Sequence, residues 1–120
     1  MSRFVLPIEP MPAARPRARK GGHGYYPAAY AAWLEGASLL SSAAWRGKPL
    51  EGPVRVSLTL ERLAIIVDVG PSDAQRGRIR GDADNIAKSC LDALTRGGVL
   101  GDDSQVVELS VRMDGEEVNS

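Results

Sequence analysis

Cysteine is almost missing from this sequence. Cys90 stands alone, so no disulfide can close within the chain, and a reducing compartment, the cytoplasm, is the expected setting. Histidine is as scarce: with one His and one Cys far apart, no zinc ligand set exists. No apolar run approaches the ~20 residues of a membrane span. The start, MSRFVLPIEP, lacks the long apolar stretch of a signal peptide. Internal repeats, a P-loop, a GxSxG elbow and a Cys–His pair are all lacking. One domain spanning 1–120 is expected, near the usual size of an autonomous fold.

Net charge is lacking as well, but its formal zero hides a split. Residues 1–60 carry eight basic and three acidic side chains, and the second half seven basic and twelve acidic. Such a chain can bind a polyanion with one end and a metal with the other. Dispersal of both charge sets over the folded surface is the plain alternative.

The apolar pattern gives the elements. Arg3–Ile8 reads as a short strand ending at Pro7 and Pro10. Residues 10–27, rich in Pro, Gly, Ala, Arg and Lys, have neither a period of 2 nor of 3.6 and read as a basic loop. Pro27 opens a helix that runs to about Ala44, with Tyr30, Trp33, Leu34, Ala37 and Leu40 or Ser41 on one stripe. PVRVSLTLE alternates as a half-buried strand, and LAIIVDV continues or pairs with it. A polar loop follows from Gly70. Asn85–Arg96 is a helix with Ile86, Cys90, Leu91 and Leu94 on one face, and Gly97 and Gly98 supply its left-handed cap. QVVELSVRM is a last one-face strand, and residues 114–120 form a fraying tail. The expected fold is α+β: a small two-layer domain, with a mixed or antiparallel sheet and two main helices packed on one face.

The chemistry gathers in RGDADNIAKSCLDALTRGGVLGDD, residues 80–103. Asp84 alone reads as a helix N-cap. Asp82, two residues earlier in an extended segment, projects to the same side, and two such carboxylates repel unless a cation lies between them. Asp103 stands at a turn before the last strand. If that strand pairs beside the segment carrying Asp82 and Asp84, the three carboxylates meet at one sheet edge. Few, hard oxygen ligands describe Mg²⁺ or Mn²⁺. An EF-hand is excluded by Ile86 and Ala87 at its ligand and glycine positions. Lys88, four residues after Asp84 and four before Asp92, is either a member of an ordinary i,i+4 ion pair or a cation aimed at the carboxylate pocket.

The pattern DxDN, Lys, LDAL, a Gly-containing turn and DDxQVV resembles the RusA-type Holliday-junction resolvases (crossover junction endodeoxyribonucleases) of prophages and bacteria. Here it reads Asp82–Ala83–Asp84–Asn85, Lys88, Leu91–Asp92–Ala93–Leu94 and Asp102–Asp103–Ser104–Gln105–Val106–Val107. The RPRAR and GYYP stretches are more weakly similar. The resemblance implies a small homodimeric, Mg²⁺-dependent endonuclease of DNA recombination and repair, which binds four-way junctions and makes paired symmetric nicks. Its metal aspartates would fall on Asp82, Asp84 and Asp103, and its essential lysine on Lys88.

An acidic pocket cannot attract DNA, so basic residues must. Arg15, Arg17, Arg19 and Lys20 of the loop, with Arg76, Arg78 and Arg80 before the motif, are the candidates for phosphate contacts. Tyr25 and Tyr26 can stack on unpaired bases at a junction centre or pack at the start of the first helix. Two symmetric cuts need two sites related by a two-fold axis, which a homodimer provides. Two rivals share these residues: a metal nuclease acting on other branched or flapped DNA, and a catalytically silent junction-binding protein.

Overall fold

The computed structural model describes residues 2–14, 17–18, 24–73, 78–80 and 84–113, with the backbone alone at 17–18, 24–25, 78–80 and 84. The elements are β1 (Ser2–Leu6), β2 (Arg17–Ala18), β3 (Gly24–Tyr25), α1 (Ala28–Trp45), β4 (Val54–Leu60), β5 (Ile65–Pro71), β6 (Arg78–Arg80), α2 (Asp84–Arg96), a 3₁₀ turn (Asp103–Gln105) and β7 (Val106–Met113). Four longer strands, with the three-residue β6 at the edge, form one sheet in the order β1-β5-β4-β7-β6. β1 and β4 flank β5 antiparallel, whereas β4 with β7 and β6 with β7 are parallel. The expected α+β fold with a mixed sheet is therefore what forms.

Strand alternation decides which face is covered. Val54, Val56, Leu58 and Leu60 of β4, Ile65, Val67 and Val69 of β5, Leu6 and Leu109 are all buried on one face. The helices answer with Tyr30, Trp33, Leu34, Ala37 and Ser41 of α1 and Ala87, Cys90, Ala93 and Leu94 of α2. Ser41, rather than Leu40, ends the α1 stripe. It is tolerated in the core because its hydroxyl donates to the Ala37 carbonyl at 2.8 Å. The α2 stripe is narrower than its apolar spacing suggests, because Ile86 and Leu91 are half-buried at its margins while Ala87 and Ala93 hold the centre.

Gly97 explains that choice of small residues. A Cβ built on it would stand 2.6 Å from the Ser41 Cβ and 2.7 Å from the Ser38 carbonyl oxygen, so α1 passes directly over the end of α2. Of the two glycines expected to cap α2, only Gly98 has a left-handed φ, +83°; Gly97 is there for closeness. Pro27 precedes α1 as its cap rather than opening the first turn, and α1 ends on Arg46 in the left-handed region (φ 42°). Trp45 tilts against Phe4, ring centroids 6.3 Å apart, and donates from Nε1 to the Lys48 carbonyl at 2.9 Å.

Two stretches expected as loops contain strands. β2 pairs with β3, Arg17 opposite Tyr25, and β6 pairs with β7, Arg80 beside Ser110. Two- and three-residue strands with polar or mixed sequence carry too little periodicity to be read. The chain from Glu9 to Ala13, which leads into the 10–27 segment, is fastened to both helices. Trp33 Nε1 donates to the Glu9 carbonyl at 2.7 Å, Ser89 Oγ to the Met11 carbonyl at 2.5 Å, and Ala13 N to the Asn85 carbonyl at 2.9 Å. The expected tail, 114–120, lies outside the described residues. Among the described residues no helix is long and apolar enough to cross a membrane.

Candidate active site

α2 carries the site, and its two ends do different things. Asp84 is its first helical residue, one position inside the place expected of an N-cap. Lys88 follows one turn later, exposed. Among the described residues Lys88 joins no ion pair, the two that form being Arg3–Asp68 and Arg55–Glu108. The alternative of an ordinary Lys88–Asp92 pair is thus not realised. Asp92 instead accepts from the Tyr30 hydroxyl of α1 at 3.4 Å. Burial, then the Asp92 charge, push the Tyr30 hydroxyl up to about 12, so it remains a donor at any ordinary pH. Cys90, behind the same helix, is pushed up to about 12 by burial and is an inert core thiol.

At the far end, Asp102 and Asp103 have separate duties. The Asp102 side chain accepts from Ser104 N at 3.3 Å. Gln105 Oε1 takes the backbone N–H groups of Gly101 and Asp102 at 2.8 and 2.9 Å, which completes a capping box. Gln105 Nε2 then donates to the Leu50 and Gly52 carbonyls, both at 2.8 Å. One side chain thereby ties the turn to the β4 approach. Sequence reasoning missed Gln105, although the D-x-x-Q spacing was its signal. With Asp102 committed to the cap, Asp103 is exposed and shares a cleft of about 200 Å³ with Tyr26, Asp92, Thr95 and Arg96. The cap's hydrogen bonds from Ser104 hold the Asp102 carboxyl below its usual range. The contact with Asp102, partial burial and repulsion from Asp102 and Asp92 hold that of Asp103 above it.

The pairing expected beside Asp82 and Asp84 is formed as far as β6, where Arg80 stands beside Ser110; Asp82 lies outside the described residues. β7 does pair beside the segment leading to Asp82. Because the pairing is parallel, the chain leaves β6 at the sheet end where β7 finishes, and Asp103 precedes β7 at the other. α2 spans the gap: Asp84 lies roughly 12 Å of helix before Asp92, at 1.5 Å per residue, while Asp103 lies beside Asp92, Thr95 and Arg96. Two aspartates sharing one Mg²⁺, each oxygen about 2.1 Å from it, must stand closer than this. Within one chain the helix start that carries Asp84 and the cleft that holds Asp103 therefore lie at different ends of α2. Among the described residues no three His, Cys, Asp or Glu side chains gather as a metal site; Asp82 and the Asp84 side chain fall outside that set.

Of the residues expected to touch DNA, Arg15, Arg19, Lys20 and Arg76 lie outside the described residues. Arg17 and Tyr25 are paired in the small β2–β3 sheet, and Arg78 and Arg80 lie on β6. Tyr26 is half-buried, edge-on to Tyr30 with centroids 5.0 Å apart, on the wall of the Asp103 cleft. The Ala13–Asn85 hydrogen bond fixes the start of the basic loop beside the first turn of α2, next to Asp84. Compared with known proteins, residues 7–119 match the family model described as endodeoxyribonuclease RusA. No curated protein matches the chain.

Proposed function

The chain belongs to the RusA endodeoxyribonuclease family, the Holliday-junction resolvases, and from that premise we propose that it cuts four-way DNA with Mg²⁺ or Mn²⁺, by paired symmetric nicks, as a homodimer. The observation that carries this reading is the start of α2. There Asp84 opens the helix, Lys88 stands exposed without an ion-pair partner among the described residues, and the basic loop is fastened at Asn85.

Asp82, Asp84 and Asp103 are the proposed cation ligands. The donor set suits a hard cation, being carboxylate oxygen only, and the crowding that raises the Asp103 carboxyl is relieved by positive charge. Since Asp84 and Asp103 sit at opposite ends of α2 in one chain, we infer that each ligand set is completed between copies: Asp82 and Asp84 of one protomer with Asp103 of the partner subunit. A two-fold axis then makes two sites at once. When bound, the cation supplies a water of lowered pKa and a Lewis acid for the phosphoryl oxygens. Lys88, which joins no ion pair among the described residues, places an ammonium where negative charge develops on the scissile phosphate. Arg15, Arg17, Arg19, Lys20, Arg76, Arg78 and Arg80 hold the DNA strands on either side, and Tyr25 and Tyr26 stack on bases at the junction centre. An unpaired, buried Cys90 fits a cytoplasmic setting.

The test is a gel assay on a labelled four-way junction and on linear duplex of matched sequence, with Mg²⁺ or with EDTA. Symmetric nicks on the junction alone, lost in EDTA, are expected. Junction binding with no cuts in either Mg²⁺ or Mn²⁺ would sink the metal assignment.

A further inference from the structure

The helices cover one face of the sheet, and on the other the register lays out rows of polar residues. One row reads Arg3, Asp68, Ser57, Ser110 and Arg80 from β1 to β6; the next reads Gly70, Arg55, Glu108 and Arg78; a third reads Val5, Ile66, Thr59 and Arg112. Five arginine positions thus accompany two carboxylates. Within the two ion pairs the signs sit at different heights. The Arg3 and Arg55 side chains are 71% and 52% exposed, whereas those of Asp68 and Glu108 are 18% and 31% exposed. Both contacts run through the arginine Nε, to Asp68 at 2.7 Å and to Glu108 at 3.5 Å. Among the described residues the terminal amino groups of these two forks make no hydrogen bond. At Arg3 the hydrogen bond from Nε to Asp68 orients the guanidinium and leaves its outer edge for a second anion, the fork geometry that suits phosphate; at Arg55 the looser ion pair to Glu108, whose Oε2 also accepts from Ser72 at 2.6 Å, keeps the guanidinium over the same face.

We propose that this open face is a second DNA-contact surface, on which Arg3 and Arg55 grip the phosphate backbone of a duplex arm leaving the junction. The inference rests on the nuclease reading above and deepens it. Arg3 and Arg55 stand two strands apart, roughly 10 Å across the sheet at 4.8 Å per strand, a span that takes in several phosphates of one DNA strand. Ser57 and Thr59 on β4 and Ser110 on the neighbouring β7 are hydroxyl donors to phosphate on the same face. β6, whose Arg78 and Arg80 stand in register beside Glu108 and Ser110, is the edge from which the chain passes to Asp82, so an arm on this face leads to the cutting site. A second copy of this chain suits the face less well. Apart from Val5 and the half-buried Ile66 its rows are polar, whereas the core of a homodimer interface is apolar.

Junction binding in EDTA is measured against salt for the parent protein, for Arg3→Gln/Arg55→Gln, and for Lys48→Gln, which removes one positive charge away from this face. For the double variant the slope of log K against log salt is expected to flatten by about 2, with binding at ~0.1 M salt about tenfold weaker. Lys48→Gln keeps the parent slope, and all three sediment as the same species. An unchanged slope in a folded double variant overturns the proposal, and so does a double variant that falls to a lower oligomeric state, which would make the face an interface between copies. A parent that binds the junction no better than linear duplex counts against the resolvase reading itself, an outcome seen without any variant.

Discussion

Gly97→Ala is the perturbation with the clearest structural magnitude. Gly97 ends α2, where α1 crosses it. The added methyl would stand 2.6 Å from the Ser41 Cβ, 2.7 Å from the Ser38 carbonyl oxygen and 3.0 Å from Ser42 N. Two of these three neighbours are backbone atoms in the middle of an 18-residue helix, so no side chain can rotate away. The helices must separate, and overpacking of this kind costs ~1–3 kcal/mol. The entropic gain of replacing glycine, ~0.5–1 kcal/mol, offsets part of it. A net loss of about 1.5 kcal/mol lowers the melting temperature by about 6 °C in a domain of this size. Gly98→Ala is the internal control. Nothing lies within 4 Å of its Cβ position, so only the left-handed backbone (φ +83°) is penalised, by ~1 kcal/mol. Calorimetry on both proteins decides. If Gly97→Ala melts at or above the parent temperature, the close crossing of α1 on α2 is wrong. The Tyr30–Asp92 contact that leans on the same crossing is then wrong as well.

Lys88→Ala removes an exposed side chain with no ion-pair partner among the described residues. Stability should change by less than ~0.5 kcal/mol, while nicking falls by ~10²–10³ with junction binding retained; a nicking rate within twofold of the parent would remove Lys88 from the site. Gln105→Ala deletes the hydrogen bonds that tie the Asp103 turn to Leu50 and Gly52; a loss of ~1–3 kcal/mol by denaturant titration is expected, together with a higher Mg²⁺ requirement for cutting. Asp103→Asn tests crowding in the metal-free protein. A carboxyl whose folded pKa is raised contributes stability below its unfolded value that is lost as pH rises through the folded one. The Asn variant should therefore melt above the parent at pH 7, and the gap should close as pH falls below ~4, where the parent is also neutral. A gap that stays constant from pH 7 to pH 3 would mean that Asp103 is not crowded.

Much of this molecule is legible without coordinates, for reasons that can be located. β4 announces itself because Val54, Val56, Leu58 and Leu60 alternate with polar residues, and each of the four is buried. α2 is legible from its apolar spacing, though its centre lies on Ala87 and Ala93: helix closeness is set by a partner, and no periodicity within one helix reports it. β6 was illegible since Arg78–Arg80 is held by β7, 30 residues further on. The candidate site divides in the same way. Asp84, Lys88 and Asp103 are visible as residue types at suggestive spacing. Their distribution over the two ends of α2 depends on whether β6 and β7 run parallel or antiparallel, and a strand's own sequence does not record its direction. Arg3 and Arg55 carry no local motif; only strand register brings each onto a carboxylate.

The most direct measurement mixes two inactive proteins, Asp84→Asn and Asp103→Asn, under conditions that allow subunit exchange, and assays nicking of the four-way junction. If each ligand set is shared between copies, the mixed dimer holds one site with both substitutions and one with neither. Cutting then returns, as a single nick per junction. If Asp84 and Asp103 of the same chain serve one cation, every site in the mixture carries a substitution. A mixture that stays inactive although exchange is verified by differential tagging would contradict the shared site.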